Sequence, residues 1–264
     1  MIIVGFLVSI IVGVTLGLIG AGGSILTVPI LIYIFKVDTV SATAYSLFIV
    51  GVTSAIGSIQ YFRKGLIKLR IALAFGVPSV IAVFLTRKFI VPSLPDTIFK
   101  IEQFTLTKSM FILLVFATLM ILASVNMIKK TKEVTSETFK KRSTKYPVVF
   151  LQGLGEGTLT GLVGAGGGFL IIPVLVLVSR LSIKEAIGTS LLIIAVKSLI
   201  GFSGEHFVKS IDWSLILSIS AFSIIGLIIG LYLSKRIDGA KLKPVFGWFV
   251  LTMGVYILIK ELFL

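Results

Sequence analysis

Eight long apolar runs dominate the sequence, and they constrain the fold more than any other feature. They cover residues 2–35, 40–62, 69–90, 108–128, 147–179, 185–206, 213–234 and 243–263. A helix needs about 20 apolar residues to cross the hydrocarbon core of a bilayer, so six of these runs have the length of a single crossing. We therefore predict an all-α polytopic membrane protein.

Composition excludes the common classes of soluble protein. Hydrophobic residues make up 56% of the chain and charged residues 14%, whereas a soluble domain is nearer one half and one quarter. There is no cysteine, so disulfides, thiolate metal sites and iron–sulfur clusters are excluded, and one histidine does not make a histidine-rich metal site. We expect no enzyme, and hence no catalytic residues, no metal and no cofactor.

Two of the runs, 2–35 and 147–179, are too long for one ordinary crossing. Each contains a glycine cluster, Gly20-Ala21-Gly22-Gly23 in the first and Gly164-Ala165-Gly166-Gly167-Gly168 in the second. Each glycine weakens a helix by about 1 kcal/mol relative to alanine, so a cluster should break it. We predict a full-length limb, a Gly-rich break and a short limb in each run. The first run has no basic segment before it, so it is predicted to be retained rather than cleaved as a signal peptide.

A shift of 144 positions aligns the two halves of the chain without gaps. Glycine, proline and serine then coincide in pairs, which apolar composition alone does not produce: Gly17 with Gly161, Gly20 with Gly164, Pro29 with Pro173, and Ser46 with Ser190. We predict a duplicated unit in one integrated membrane domain. Repeat 1 covers residues 1–128, a polar linker covers 129–146, and repeat 2 covers 147–264.

The basic residues decide between parallel and inverted repeats, because cytoplasmic loops carry an excess of Lys and Arg. If each Gly-broken run crosses once, the two faces receive 11 and 13 cations; if each is a hairpin that returns to its starting side, they receive 17 and 7. The hairpins predict two inverted repeats, each a Gly-broken helical hairpin plus three transmembrane helices. Both termini then lie outside and 129–146 is cytoplasmic. The net charge of +14 reflects topology, and no nucleic acid partner is expected.

Broken helices in inverted repeats are the architecture of many secondary transporters, whose substrate binds near the bilayer midplane. No glycine cluster is followed by Lys and Ser or Thr at the spacing of a nucleotide-binding loop, so energy must come from an ion gradient or from the substrate's own gradient. Protons are the candidate coupling ion, and the oligomeric state is open. The alternatives are an anion channel and an uptake carrier for another small organic anion.

A pattern of Gly-Leu, a hydrophobic residue, Gly-Ala-Gly-Gly, and then Leu and Pro at fixed spacing occurs at 17–29 and again at 161–173. Ala186-Ile187-Gly188-Thr189-Ser190-Leu191, Ile211-Asp212-Trp213 and Gly226-x-x-x-Gly230 follow the second copy. Together these resemble the TauE/SafE-type sulfite exporters, also called the toluene sulfonate uptake permease family, over nearly the whole chain. The resemblance implies an inner-membrane transporter of small sulfur-containing anions such as sulfite, thiosulfate and organosulfonates. Since the membrane potential favours anion exit by about 2.3 kcal/mol per charge per 100 mV, we expect an exporter.

The Gly-rich breaks are the predicted substrate-binding site. The helix that follows each break presents free N–H groups and the positive end of its dipole to an anion, although close helix packing is an alternative use of such glycines. The predicted set is Gly20, Ala21, Gly22, Gly23 and Ser24 in repeat 1, and Gly164, Ala165, Gly166, Gly167 and Gly168 in repeat 2. In contrast, Gly226 and Gly230 lie in an unbroken run and are predicted to form a packing seam.

Hydroxyl and charged side chains complete the predicted site. Ser46, Thr189 and Ser190 are candidate donors to substrate oxygens, and the alternative is a bond to their own backbone carbonyls. Lys197 lies inside an apolar run, where a cation is costly and usually functional. It either attracts the anion or pairs with Glu156, which is also a candidate proton-coupling carboxylate; a purely structural ion pair is the alternative. Glu205, His206 and Asp212 are predicted to form a solvated loop cluster.

Overall fold

The computed structural model describes residues 2–101, 104–128, 146–177, 179, 181–204, 211–234 and 239–263. The predicted linker, except for Tyr146, and the predicted loop residues Glu205 and His206 lie outside the described residues. Asp212 is described, and its side chain accepts a hydrogen bond from the backbone N–H of Leu215, so that it caps the following helix.

Among the described residues of the first half there are six α-helical segments, some of which are joined by short 3₁₀- or π-helical segments. They are α1 (Ile2–Ile19), a 3₁₀ helix (Ala21–Leu26), α2 (Thr27–Pro29), a π-helical segment (Ile30–Ile34), α3 (Thr39–Arg63), α4 (Leu69–Leu85), a second π-helical segment (Thr86–Ile90), α5 (Val91–Ser93) and α6 (Lys108–Ile128). The second half contains α7 (Tyr146–Val163), α8 (Gly168–Leu177), α9 (Ile183–Ser203), α10 (Trp213–Leu233) and α11 (Gly239–Phe263).

Five of the described helical stretches are long and apolar enough to cross a membrane, namely Thr39–Arg63, Leu69–Ser93, Lys108–Val125, Ile183–Ser203 and Trp213–Leu233. This agrees with the predicted helical membrane protein. The connection between α5 and α6 adds a small element that the sequence analysis did not predict. There β1 (Thr97–Ile101) pairs antiparallel with β2 (Phe104–Thr107), and both strands are rich in Thr, Ile and Phe, which favour extended backbone.

The first Gly-broken run folds back on itself. The ring of Phe35, at the end of the π-helical segment, lies against Gly5, and its centroid is 5.7 Å from that of Phe6 near the start of α1. In the second half, α8 returns along α7, since Val149 shares a buried apolar cluster with Ile171 and Leu175. Each glycine cluster therefore lies at the tip of a hairpin. We call residues 20–24 the first tip and residues 164–168 the second tip.

The offset found in the sequence also relates the helices. The starts of α1 and α7, of α3 and α9, and of α4 and α10 are each 144 positions apart. The same offset relates two tertiary hydrogen bonds. The N–H of Lys68 donates to Thr189 Oγ1 over 3.0 Å, and that of Asp212 donates to the hydroxyl of Tyr45 over 2.9 Å.

The main helix contacts join one half of the chain to the other. Helix α1 packs along α10, α4 along α7, α3 along α9, and α6 along α11. Contacts fix the direction of the α3–α9 pair, in which Leu47 lies against Gly201, Gly57 against Leu191, and Tyr61 against Gly188. Helices α3 and α9, which occupy equivalent places in the two halves, therefore run antiparallel.

Glycines allow the closest of these contacts. A Cβ at Gly226 or at Gly230 would collide with the backbone carbonyl of Ile10 or of Val14 in α1. The predicted packing seam at Gly226 and Gly230 is thus confirmed, and its partner is α1.

Candidate functional site

The two hairpin tips meet inside the helical bundle. Gly166 of the second tip lies against the side chain of Ser24 in the first tip, and Val50 of α3 packs against Gly166 from the side. Ser24 is fully buried. The structure therefore brings together the two Gly-rich segments that lie 144 positions apart in the sequence.

The second tip is a sharp turn that leads into a regular α-helix. Gly164, Gly166 and Gly167 have positive φ angles of 73°, 66° and 61°, which glycine adopts without the steric cost that other residues incur. Helix α8 begins at Gly168, as predicted, so the N–H groups of its first turn have no acceptors within the helix.

The first tip has a different backbone. Gly20 has a φ of 75°, but the chain then continues as a 3₁₀ helix over Ala21–Leu26, which includes Gly22 and Gly23. A short apolar helical limb, Ser24–Ile34, follows the break as predicted, but its geometry changes along its length. The 3₁₀ turns lead into α2 (Thr27–Pro29), and the segment after Pro29, which lacks an N–H, is π-helical over Ile30–Ile34.

A buried ion pair adjoins the second tip. Lys197 is fully buried, and its Nζ contacts Glu156 Oε1. Two hydroxyls donate to the same carboxylate, Thr160 to Oε1 over 2.7 Å and Ser79 to Oε2 over 2.8 Å. Lys197 Nζ also lies 3.3 Å from Thr160 Oγ1. The sequence left open whether Lys197 pairs with Glu156 or faces the substrate alone, and in the structure the two side chains are paired.

The glycine at position 167 makes room for this network. A Cβ there would collide with Glu156 Oε1 and Thr160 Oγ1, and would lie 2.9 Å from Lys197 Nζ. The tip and the ion pair are thus in direct contact, and any movement of the second hairpin relative to α9 must change the surroundings of both charges.

The predicted hydroxyl residues lie near the tips but differ in their bonds. Ser190 Oγ donates to the carbonyl of Ile187 in its own helix, over 2.9 Å, and Thr189 Oγ1 accepts from the N–H of Lys68. Ser46 is fully buried, and its Oγ has no hydrogen-bond partner among the described residues. Ser190 therefore follows the backbone-bonded alternative, whereas Ser46 retains an unused donor.

The chain matches the family described as sulfite exporter TauE/SafE over residues 5–257. It belongs to this family. A probable membrane transporter protein of Xylella fastidiosa is 28% identical over 254 residues, which cover 94% of this chain and 91% of that protein. The probable membrane transporter protein YdhB of Bacillus subtilis is 27% identical over 242 residues, which cover 90% and 91%. No solved structure matches the chain.

Membership of the TauE/SafE family confirms the resemblance noted in the sequence. The names of the family and of these relatives identify the chain as a membrane transporter rather than an enzyme. As a membrane transporter, the protein lies in a lipid bilayer and carries a small substrate.

The TauE/SafE transporter has a further buried cation that sequence reasoning missed. The hairpin topology counts Arg87 among the seven cations of the outer-face loops, but it is fully buried in the π-helical segment, and its Nη1 donates to Thr43 Oγ1 over 3.0 Å. That assignment was wrong because the helical course of the chain continues through Ser93. The signal was present in the sequence, since Arg87 falls inside the apolar run 69–90.

Proposed function

We propose that this TauE/SafE family member is a secondary transporter that exports a small sulfur-containing anion, such as sulfite, thiosulfate or an organosulfonate, across the inner membrane. Transport proceeds by alternating access around the meeting point of the two tips. One observation carries the proposal: two Gly-rich tips from the two halves of the chain touch each other beside a buried Lys–Glu pair.

The proposed architecture is a pair of inverted repeats. The antiparallel course of α3 and α9 supports it, because equivalent helices related by an axis along the membrane normal would run parallel. The reciprocal packing of α1 on α10 and of α7 on α4 supports it as well. Repeats 1–128 and 147–264 then rock against each other about the tips, with the linker between them in the cytoplasm.

The tips supply the proposed anion site. Backbone N–H groups at the start of α8 and the positive end of its dipole favour an oxyanion, and the absent glycine side chains let the anion approach the backbone. The proposed contacts are Gly20, Ala21, Gly22, Gly23, Ser24, Ser46, Gly164, Ala165, Gly166, Gly167, Gly168, Thr189, Ser190 and Lys197.

Glu156 is the proposed coupling residue. Its carboxylate holds Lys197 and two hydroxyls in a dry site, so protonation of Glu156 would weaken the ion pair and free the Lys197 ammonium for the substrate.

Flux measurements in proteoliposomes test the proposal. Sulfite, thiosulfate and sulfoacetate should each be compared with acetate, with and without a pH gradient. We expect saturable flux of a sulfur anion, which Glu156→Gln makes insensitive to pH, while Glu185→Gln, a partly exposed carboxylate at the start of α9, keeps the wild-type dependence. Flux that rises linearly with concentration would indicate a channel, and preference for acetate would indicate a carrier for another organic anion.

Cysteine labelling tests the orientation. The chain has no cysteine, so a single one can be placed at will. Ser93→Cys, after the second π-helical segment, is expected to react with an impermeant reagent from outside the cell. Lys64→Cys, at the opposite end of the α3–α4 pair, should react only after the membrane is opened. The reverse pattern would contradict the proposed orientation.

A further inference from the structure

We propose that Arg87 and Ser46 form an anion-binding subsite at the Gly164 end of the second tip, and that this subsite takes the trigonal or tetrahedral oxyanion group of the substrate. Thr43 positions the guanidinium, since its hydroxyl accepts from Arg87 and donates to the carbonyl of Val40 over 2.7 Å. The inference deepens the proposed function and rests on it. It adds Arg87 as a cationic contact to Lys197, which the sequence singles out.

The burial of Arg87 is the first step. Its side chain has no exposed surface, although it lies in a stretch, Leu69–Ser93, that is apolar enough to cross a membrane. A charge at such a place is costly and marks a substrate pathway in membrane proteins. Arginine has a planar fork of N–H donors that matches the oxygens of a sulfonate or sulfite group, as it matches carboxylate and phosphate.

The local fold directs Arg87 towards the tip. Helix α7 approaches the end of α4 closely, because Gly161 lies against Thr86, where the π-helical segment begins. Segments of π-helix are frequent at functional sites. Arg87 follows directly and reaches Thr43, whose backbone lies against Gly164.

Ser46 supplies a second donor on the same side of α3. Thr43, Ser46 and Val50 are spaced by three and four residues, which places them on one face of the helix, and both Thr43 and Val50 contact the second tip. Ser46 therefore faces this tip between them. Its hydroxyl is buried without a hydrogen-bond partner among the described residues, and an oxyanion there would accept from it.

The buried ion pair is a separate feature of the same tip. Lys197 contacts Glu156 beside Gly167, whereas Arg87 contacts Thr43, whose backbone lies against Gly164. Thr43 and Val50 are seven residues apart, about 10 Å along a helix, so the proposed subsite lies at some distance from the crossing of the tips. An anion at Arg87 would thus be held beside the ion pair and not within it.

Binding to the purified transporter in nanodiscs tests the subsite, with titrations of sulfite, sulfoacetate and acetate followed by calorimetry. We expect Arg87→Gln to raise the Kd of the preferred sulfur anion by roughly 10- to 100-fold, in line with hydrogen bonds to charged groups. Arg87→Lys keeps the charge but loses the planar fork, so its effect should be smaller, and Ser46→Ala should raise the Kd by roughly tenfold. Arg63→Gln, at an exposed arginine that ends α3, serves as the control and should keep the wild-type Kd.

The outcomes separate the two proposals. Wild-type protein that binds no sulfur anion overturns the proposed function, and the subsite with it. Wild-type protein that binds one, together with an unchanged Kd in folded Arg87→Gln, overturns the subsite alone. Should Arg87→Gln fail to fold, unchanged Kd values in both Arg87→Lys and Ser46→Ala overturn it equally.

Discussion

The two hairpin tips share the sequence Gly-Ala-Gly-Gly but differ in backbone and in surroundings. After Gly20 the first tip winds into a 3₁₀ helix, whereas the second forms a turn with three positive-φ glycines before α8 begins. The four shared residues cannot cause this difference, so it comes from the fifth residue, Ser24 in the first tip and Gly168 in the second, and from the packing around each tip.

The surroundings differ most at the charged positions. By the 144-residue offset, the places equivalent to Glu156 and Lys197 are held by Val12 and Thr53 in the first half, and the place equivalent to Arg87 is held by Leu231 in the second half. The duplication has kept a common frame of helices and glycines, while charge is concentrated around one tip. In the proposed function, this asymmetric tip holds the anion while the other tip moves against it.

The largest expected effect on stability comes from replacing Glu156 and Lys197 with the residues found at the equivalent places of the first half. Glu156→Val leaves Lys197 buried without a carboxylate, so it should lower the free energy of unfolding by about 3–5 kcal/mol. Adding Lys197→Thr removes the unpaired charge and should restore most of that loss. Reversible unfolding in SDS measures both, and a double variant as unstable as Glu156→Val alone would contradict the importance of the pair.

The tip glycines give the next largest effect. Gly164→Ala forces a side chain into a positive-φ position against the backbone of Thr43, and should cost about 3 kcal/mol from strain and overpacking together. Gly20→Ala meets the side chains of Ile187 and Ile172 and no backbone, and side chains can shift, so about 1 kcal/mol is expected. The same SDS titration compares them, with Gly155→Ala, which faces open space, as the control. Equal losses at the two tips would show that the surroundings do not distinguish them.

A smaller effect on stability is expected at the two hydrogen bonds that the 144-residue offset relates. Thr189→Ala removes the acceptor of the Lys68 N–H, and Tyr45→Phe removes the acceptor of the Asp212 N–H. Each should lower the free energy of unfolding by about 1 kcal/mol, because one backbone donor loses its partner. Thermal unfolding of the two variants should therefore give similar shifts, and a loss at one site only would argue against equivalent roles.

The smallest effect concerns the paired serines in the ligand-free protein. Ser190→Ala removes a local bond to the helix backbone and should change the free energy of unfolding by no more than about 0.5 kcal/mol. Ser46→Ala removes a buried hydroxyl that has no partner, so it should be neutral or slightly stabilising. A clear loss of stability in Ser46→Ala without ligand would assign that hydroxyl a structural role instead.

Much of the fold could be predicted, because the lengths of the apolar runs and the spacing of the glycine clusters indicate where the helices begin, end and turn back. The apolar runs matched the helices to within a few residues, and the glycine clusters marked the hairpin tips. The bond partners could not be predicted, since they depend on how helices of opposite halves pack. Lys197 and Glu156 stood out as charges in apolar runs, but Arg87 was hidden at the end of one, where composition alone cannot tell a loop cation from a buried one. The 3₁₀ course of the first tip has no counterpart in the sequence pattern.

The pairing of α1 with α10, α3 with α9, α4 with α7 and α6 with α11 has a consequence for biosynthesis. Each helix of the first half reaches the bilayer before its partner has been translated, and α1 must wait for almost the whole chain. During that interval, its contact face for Gly226 and Gly230 is open to lipid or to another chain. Translation therefore passes through a half-assembled intermediate that depends on rapid completion of the second half, and synthesis interrupted after α6 should leave a product for membrane proteases.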